Sequence, residues 1–174
     1  MKKTTHIITC ILLLSTSLFA ISDDYALTKE YRLLNDVKLA NKQEDYITNM
    51  YRILKLNIND QENFDTSKNR FTKILNGLTN GDTTLSLKGT DIKAIRAELN
   101  VIQKLWSAEQ NNLKDALSNK ANKLKAMRGL KGISLHMKKA IALYNISYKR
   151  YKQHSKISSI VDRHMSQKQF LAMK

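Results

Sequence analysis

The residues that could carry acid–base or metal chemistry in this chain are few and far apart. Its four histidines are His6, His136, His154 and His164, and its single cysteine is Cys10. The last three histidines lie ten or more residues apart in a segment that holds one acidic residue. A zinc site needs converging ligands, and a catalytic triad needs a carboxylate that orients its histidine. The pattern therefore predicts no metal site, no cofactor and no enzyme activity.

A short polar segment, Asn80-Gly81-Asp82, resembles the start of a calcium-binding loop. Neither further acidic ligands nor a closing glutamate follow it, so we interpret the segment as a turn. Together with Asn76-Gly77 before it and Gly89 after it, it predicts the longest loop of the chain.

Basic residues are concentrated in the last third of the chain. Residues 120–174 hold 14 Lys and Arg and one acid, whereas residues 21–119 hold 14 residues of each sign. A solvated helix face and a surface that binds a polyanion or an anionic membrane would both have this composition. Tyr144, Tyr148 and Tyr151 follow helical spacing, which indicates core packing and not base stacking, so we expect no specific nucleic-acid partner.

The first twenty residues follow the order of a secretory signal peptide. Lysines at positions 2 and 3 precede an apolar run at 7–14, and small residues lead to Ala20. We expect cleavage after Ala20 or Ser22, with an uncleaved membrane anchor as the alternative. Residues 1–20 are thus predicted to be the signal peptide, and 21–174 a single cysteine-free domain that is periplasmic or secreted.

The chain contains no proline and 5 glycines, which indicates few turns and long helices. Long helices must therefore position its functional residues. Apolar residues at steps of three and four predict helices at about 23–56, 60–78 and 90–113, and a fourth that carries Leu130 and Ile133, with Gly129 and Gly132 bracketing a weak point before it. Asn59 with Glu62 is expected to cap the second helix, and Thr90 or Asp91 the third. Helices of this length with short connections predict an all-α, antiparallel up-down four-helix bundle.

Each predicted helix has an apolar stripe that defines its expected core face. The stripes are Leu33, Val37, Ala40, Glu44, Ile47, Tyr51 and Leu54 in the first helix; Phe64, Phe71, Leu75 and Leu78 in the second; Ile92, Ile95, Leu99, Ile102, Trp106 and Leu113 in the third; and Leu130, Ile133, Met137, Ala140, Tyr144, Ser147, Tyr151, Val161 and Met165 in the fourth.

Residues 62–106 carry a more specific pattern. A Phe-led helix ends in Leu-x-Gly-Leu-x-Asn-Gly-Asp, a leucine-bearing loop follows, and the next helix closes on Leu-Trp. This stretch resembles the N-terminal, PilJ-type domain of type IV pili methyl-accepting chemotaxis transducers, to which the input domains of nitrate and nitrite sensor kinases are related. The motif residues are Asn76, Gly77, Asn80, Gly81, Asp82 and Trp106.

The resemblance also covers a signature of the first helix, Ala-Gly-Arg-Gln-Arg-Met-Leu-Ser-Gln-Arg-Met in that family. Residues 40–50 are similar to it, and a weaker echo lies at 160–168. The resemblance makes Lys42, Gln43, Glu44, Gln167 and Lys168 the candidate ligand-binding residues.

Glu44 stands where nitrate-sensing relatives have an arginine that holds the anion between two subunits. The charge is reversed, so we expect no nitrate binding in the family's manner. Two alternatives follow for Glu44: heptad drift carries it into solvent, or it is a buried or interfacial polar group that sets register or binds a cation.

The resemblance implies an exported sensor-like bundle that binds a small molecule or a membrane-bound signalling partner and pairs as a homodimer. No second apolar run approaches eighteen residues, which predicts a stand-alone domain without its own output module. The alternative is an exported basic protein that binds a polyanion or an anionic membrane surface through residues 120–174.

Overall fold

The computed structural model describes the backbone of residues 3–172 and the side chains of residues 28–161 and 163. Its elements are α1 (Lys3–Lys55), α2 (Gln61–Asn80), a 3-10 turn (Thr83–Leu85), α3 (Lys93–Lys114) and α4 (Lys120–Ala172). Over the described backbone there are four α-helices and no strand. This confirms the predicted all-α helical bundle.

The four helices pack antiparallel to one another in chain order. In each neighbouring pair, contacts that come later on one helix come earlier on the other. The pairs that show this are Gln43 with Phe71 and Asn49 with Ser67 for α1 and α2, Thr72 with Trp106 and Asn76 with Gln103 for α2 and α3, Glu98 with His136 and Glu109 with Gly129 for α3 and α4, and Glu44 with Lys138 and Tyr51 with Lys131 for α1 and α4.

The chain divides into two compact units. The larger unit is Arg32–Lys149 and contains the bundle core; the smaller one combines Met1–Tyr31 with Arg150–Lys174. Within the smaller unit, Lys152 Nζ lies 3.3 Å from Glu30 Oε1, and Lys29 Nζ lies 5.4 Å from the centre of the Tyr151 ring. Among the described residues no helix is long and apolar enough to cross a membrane.

The core of the larger unit confirms the predicted stripes of α2, α3 and the first part of α4. Their buried members are Phe64, Phe71, Leu75 and Leu78 in α2, Ile95, Leu99, Ile102, Trp106 and Leu113 in α3, and Leu130, Ile133, Met137, Ala140 and Tyr144 in α4. The α4 stripe does not stay buried to its predicted end, since Val161 is 51% exposed. The side chain of Met165 lies outside the described residues.

The buried face of α1 keeps Ala40, Ile47 and Leu54 of the predicted stripe and differs from it by one position at two others. Its fully buried residues are Ala40, Gln43, Ile47, Met50, Ile53 and Leu54. Glu44 and Tyr51, each one residue beyond a buried position, are half-buried. One residue is about 100° of rotation on a helix, so both side chains lie on the edge of the core face. The prediction that placed Glu44 and Tyr51 on the stripe itself is therefore wrong.

The predicted cap of α2 is also wrong by one residue. The cap is Asp60, whose Oδ1 accepts a hydrogen bond from the Asn63 backbone N–H at 3.1 Å, and whose Oδ2 accepts from the Asn63 side chain at 2.6 Å. An ionised carboxylate accepts both bonds and also complements the positive end of the helix dipole. These bonds hold the pKa of Asp60 below its usual value. Asn59, the residue predicted to cap, is exposed.

The N-termini of α3 and α4 differ from their predictions as well. The residue before α3 is Ile92, which makes no side-chain cap, and Thr90 Oγ1 accepts from the Ile92 N–H at 3.2 Å outside the helix. α4 begins at Lys120, because Asn119 Oδ1 accepts two backbone N–H groups of its first turn. Gly129 and Gly132 therefore lie inside a continuous helix and do not precede it.

A groove between α1 and α4

The Asn-Gly-Asp segment forms the predicted turn. Asp82 Oδ1 accepts hydrogen bonds from the Thr84 hydroxyl at 2.6 Å, the Thr84 N–H at 2.8 Å and the Leu85 N–H at 3.2 Å. The hydroxyl bond is the main reason that the pKa of Asp82 lies below its usual value. Gly81, with φ at 96°, supplies the backbone conformation that the turn needs.

The other motif residues lie at the end of α2 and in the core between α2 and α3. Asn76, Gly77 and Asn80 lie at the end of α2, and a Cβ on Gly77 would lie 2.7 Å from Leu87 Cδ1, so the leucine side chain would have to shift to admit it. Trp106 is 4% exposed, and its ring centre lies 4.4 Å from that of Phe71. The motif is therefore structural.

The three neighbouring candidates for ligand binding point in different directions. Lys42 is exposed. Gln43 is fully buried, and its Nε2 donates to the Phe71 carbonyl oxygen of α2 at 3.1 Å. Glu44 faces α4. The structure therefore does not bring these side chains together in one site. Gln167 and Lys168 lie on α4, and their side chains are outside the described residues.

Glu44 is a partly buried acid between two helices of its own chain. Its side chain is 24% exposed. Its Oε1 accepts a hydrogen bond from the Ser134 hydroxyl at 2.6 Å and lies 3.6 Å from Lys138 Nζ. Its Oε2 is buried and has no hydrogen-bond partner among the described residues. Of the two alternatives for Glu44, the structure supports the buried polar group.

Glu44 lies at one end of a groove of about 390 Å³ between α1 and α4, which we call the α1–α4 groove. At its other end Lys131 Nζ lies 5.5 Å from the centre of the Tyr51 ring, within the range of a cation–π contact. Each wall spans two helical turns. The lining residues are Glu44, Ile47, Thr48, Tyr51, Leu130, Lys131, Ser134, Leu135 and Lys138.

The α1–α4 groove combines an apolar middle with charged ends. Glu44 supplies one negative charge, and Lys131 and Lys138 supply two positive charges. A buried carboxylate oxygen without a donor and two lysines that are held only loosely are groups that a small ligand could satisfy. The α4 wall has two lysines seven apart in the sequence, Lys131 and Lys138, but no sequence signal showed that this helix edge faces Glu44.

A second, larger groove of about 740 Å³ lies between α2 and α3. It is lined mainly by neutral amides and hydroxyls, with Lys104 as its charged residue. Two of the amides lie against each other across it, with 3.5 Å between Gln103 Nε2 and Asn76 Oδ1, and Gln110 Nε2 donates to the Trp106 carbonyl oxygen. Three of its four amide side chains therefore already make a hydrogen bond within the bundle, which makes this groove the weaker candidate.

Comparison with known proteins identifies the family. The family model of the type IV pili methyl-accepting chemotaxis transducer N-terminal domain, PilJ, matches residues 32–128, which is more than half of the chain. The chain belongs to the PilJ family. No curated protein and no solved structure matches it. The predicted resemblance is confirmed, and the relation to nitrate sensors stays a prediction.

Membership makes this PilJ domain a sensory helical domain of the chemotaxis-transducer type, from a family without catalytic function. The matched range contains α2, α3, the motif turn and the α1 wall of the groove. The α4 wall, residues 130–138, lies beyond it. Ser134 and Lys138, which face Glu44, therefore come from a part of the chain that the family model does not match.

Proposed function

We propose that this PilJ domain is an exported sensor that binds a small molecule in the α1–α4 groove and catalyses no reaction. The observation that carries the proposal is Glu44, which lines a groove of about 390 Å³ and whose buried Oε2 has no donor among the described residues. Burial of a charged oxygen is unfavourable unless a donor satisfies it, so a ligand that brings a donor gains free energy there.

Ligand binding at this place offers a direct route to a signal. The groove is bounded by α1 and α4, and a molecule wedged between two packed helices shifts one along or away from the other. Shifts of about 1–2 Å between helices are a common switching movement. A membrane-bound signalling partner, or a second copy of the chain, that contacts either helix would receive this movement.

A thermal-shift screen of the exported protein against small acids, amines, amino acids and sugars tests the proposal. A ligand at 100 times its Kd stabilises the folded state by about 2.7 kcal/mol, which raises Tm by about 5–11 °C in a domain of this size. Glu44→Gln removes the charge from the groove. Asp45→Asn is the matched control, because Asp45 is the adjacent acid and is exposed.

We expect at least one compound to stabilise the wild type and the Asp45→Asn variant but not Glu44→Gln. Equal stabilisation of all three proteins by every compound that binds, or stabilisation of none of them by any compound, would show that the α1–α4 groove is not the sensory site.

Export is the second part of the proposal, supported by the charge and hydropathy order of residues 1–20. Mass spectrometry of the protein from the extracytoplasmic fraction should give a first residue of Ile21 or Asp23. Recovery of the intact chain in the membrane fraction would instead support the uncleaved anchor.

A second candidate function rests on the basic part of α4. Lys149, Arg150 and Lys156 are exposed, in a segment with 14 basic residues and one acid. Such a surface would bind a polyanion or an anionic membrane, with an affinity that falls steeply as salt rises. Sedimentation with vesicles of anionic and of neutral lipid, at low and high salt, tests it. Binding that is equal for both lipids would exclude this function.

A further inference from the structure

We propose that the ligand of the α1–α4 groove is a small α-amino acid with an apolar side chain. Its ammonium group would bind Glu44, and its carboxylate would bind Lys138. This inference rests on the proposed function, because it assigns a ligand class to the same groove. Three features of the groove carry it: the missing donor, the loosely held lysine and the apolar middle.

The missing donor indicates a ligand with an N–H or O–H group. Glu44 Oε1 already accepts from Ser134, whereas Oε2 is buried without a partner. A carboxylate only accepts hydrogen bonds, so an anion without a proton to donate, such as nitrate, cannot satisfy this oxygen. An ammonium group supplies up to three donors and the opposite charge, which makes the resulting hydrogen bonds strong.

A bare metal ion fits the groove less well than an ammonium group. Divalent cations bind to several converging oxygen or nitrogen ligands, and calcium takes six to eight oxygens. Glu44 is the one carboxylate of the groove, and the described residues contain no cluster of three His, Cys, Asp or Glu that could hold a metal.

The loosely held lysine indicates that the ligand also carries an anionic group. Lys138 is 66% exposed, and its Nζ lies 3.6 Å from Glu44 Oε1, longer than a direct charge-assisted hydrogen bond. A side chain held this weakly can turn toward a ligand at small cost. With a ligand ammonium against Glu44, Lys138 is free to pair with a carboxylate on the same ligand. An α-amino acid has both groups on one carbon.

The apolar middle of the groove indicates the side chain of the ligand. Ile47 is buried and Leu130 fully buried, whereas Leu135 is 57% exposed although it belongs to the groove wall. A branched aliphatic side chain placed between these residues would cover Leu135 and remove apolar surface from water. Lys131, at the far end against Tyr51, would lie beyond such a side chain and would not contact the head group.

The test uses leucine and two analogues that each lack one charge, with the full-length exported protein in a calorimeter. The first analogue, 4-methylpentanoate, has no ammonium, and the second, 3-methylbutylamine, has no carboxylate. We expect leucine to bind saturably and each analogue to bind about tenfold more weakly or worse, because each loses a charge-assisted hydrogen bond.

Two variants assign the two charges to residues, and a third is their control. Glu44→Gln should weaken leucine about tenfold while leaving 4-methylpentanoate unchanged, since that analogue has no ammonium to lose. Lys138→Gln should weaken leucine and leave 3-methylbutylamine unchanged. Lys139→Gln is the matched control, because Lys139 is the adjacent lysine, is exposed and does not line the groove, and it should leave the preference for leucine over both analogues intact.

Equal affinity of leucine and 4-methylpentanoate for the wild type, or no binding of leucine, would overturn this inference. The proposed function fails separately. If another compound stabilises the protein and depends on Glu44, the groove is the sensory site with a different ligand class. If no compound depends on Glu44, both proposals are wrong.

Discussion

Replacing Gly132 with alanine should stabilise the protein, whereas the same change at Gly129 should not. Both residues lie inside α4, where alanine is favoured over glycine by about 0.5–1 kcal/mol. A Cβ on Gly132 would meet no atom within 4 Å, so this variant should gain the full amount. A Cβ on Gly129 would lie 2.1 Å from Glu109 Cδ and 2.4 Å from Glu109 Oε1, so the glutamate must move.

The movement of Glu109 has a cost that can be estimated from its contacts. Its Oε2 accepts a hydrogen bond from Asn112 at 2.8 Å, and the loss of such a bond costs about 0.5–1.5 kcal/mol. This cost is similar to the helical gain, so Gly129→Ala should be neutral or destabilising. In a Glu109→Ala background the obstacle is absent, and Gly129→Ala should then stabilise by about the same amount as Gly132→Ala.

Urea unfolding followed by circular dichroism measures these differences. With m of about 2 kcal/mol/M, Gly132→Ala should raise the midpoint by about 0.2–0.5 M without a change in m. A lower midpoint for Gly132→Ala would refute the reasoning. It would mean that the chain leaves the helical conformation near residue 132, as the glycine pattern in the sequence predicted.

Three further outcomes are expected. Trp106→Ala should lower the free energy of unfolding by about 3–5 kcal/mol in the same urea assay. Val101 lies on the same helix and is 37% exposed, so Val101→Ala should change the free energy of unfolding by under about 0.5 kcal/mol. Burial raises the pKa of Asp36 to about 6, and the charge of Asp91 adds a smaller effect. The contribution of Asp36 to the free energy of unfolding is therefore most favourable below about pH 4, and it falls as the pH rises through 6. Urea midpoints of Asp36→Asn should therefore equal those of the wild type near pH 4 and exceed them at pH 7.5; a constant difference would contradict the assignment. Calorimetry should detect no saturable nitrate binding at Glu44, because a carboxylate only accepts hydrogen bonds and repels an anion.

The sequence alone determined the helical class, the family and the cores of α2 and α3. The spacing of Phe64, Phe71, Leu75 and Leu78 marks one buried face of α2, and the heptad through Trp106 marks one face of α3. Both helices are short enough that helical periodicity and burial agree over their whole length. The motif turn could also be predicted, because Asp82 forms it through bonds to residues two and three positions away.

Tertiary structure decided which edge of α1 faces α4, and so decided where the groove lies. Gln43 is buried because the Phe71 carbonyl of α2 accepts its amide, and no local pattern distinguishes a glutamine with such a partner from an exposed one. This bond places Glu44 on the edge toward Ser134, ninety residues away along the chain.

The partner of His136 also could not be predicted from the local sequence. The sequence around it is almost free of acids, yet its Nδ1 lies 2.8 Å from Glu98 Oε2 on α3. The spacing of apolar residues in a helix shows which of its faces is buried. It carries no information about which polar side chains of other helices lie against that helix. The identity of a polar partner depends on the rotation and axial offset of the neighbouring helix, which the packing of all the core side chains sets together.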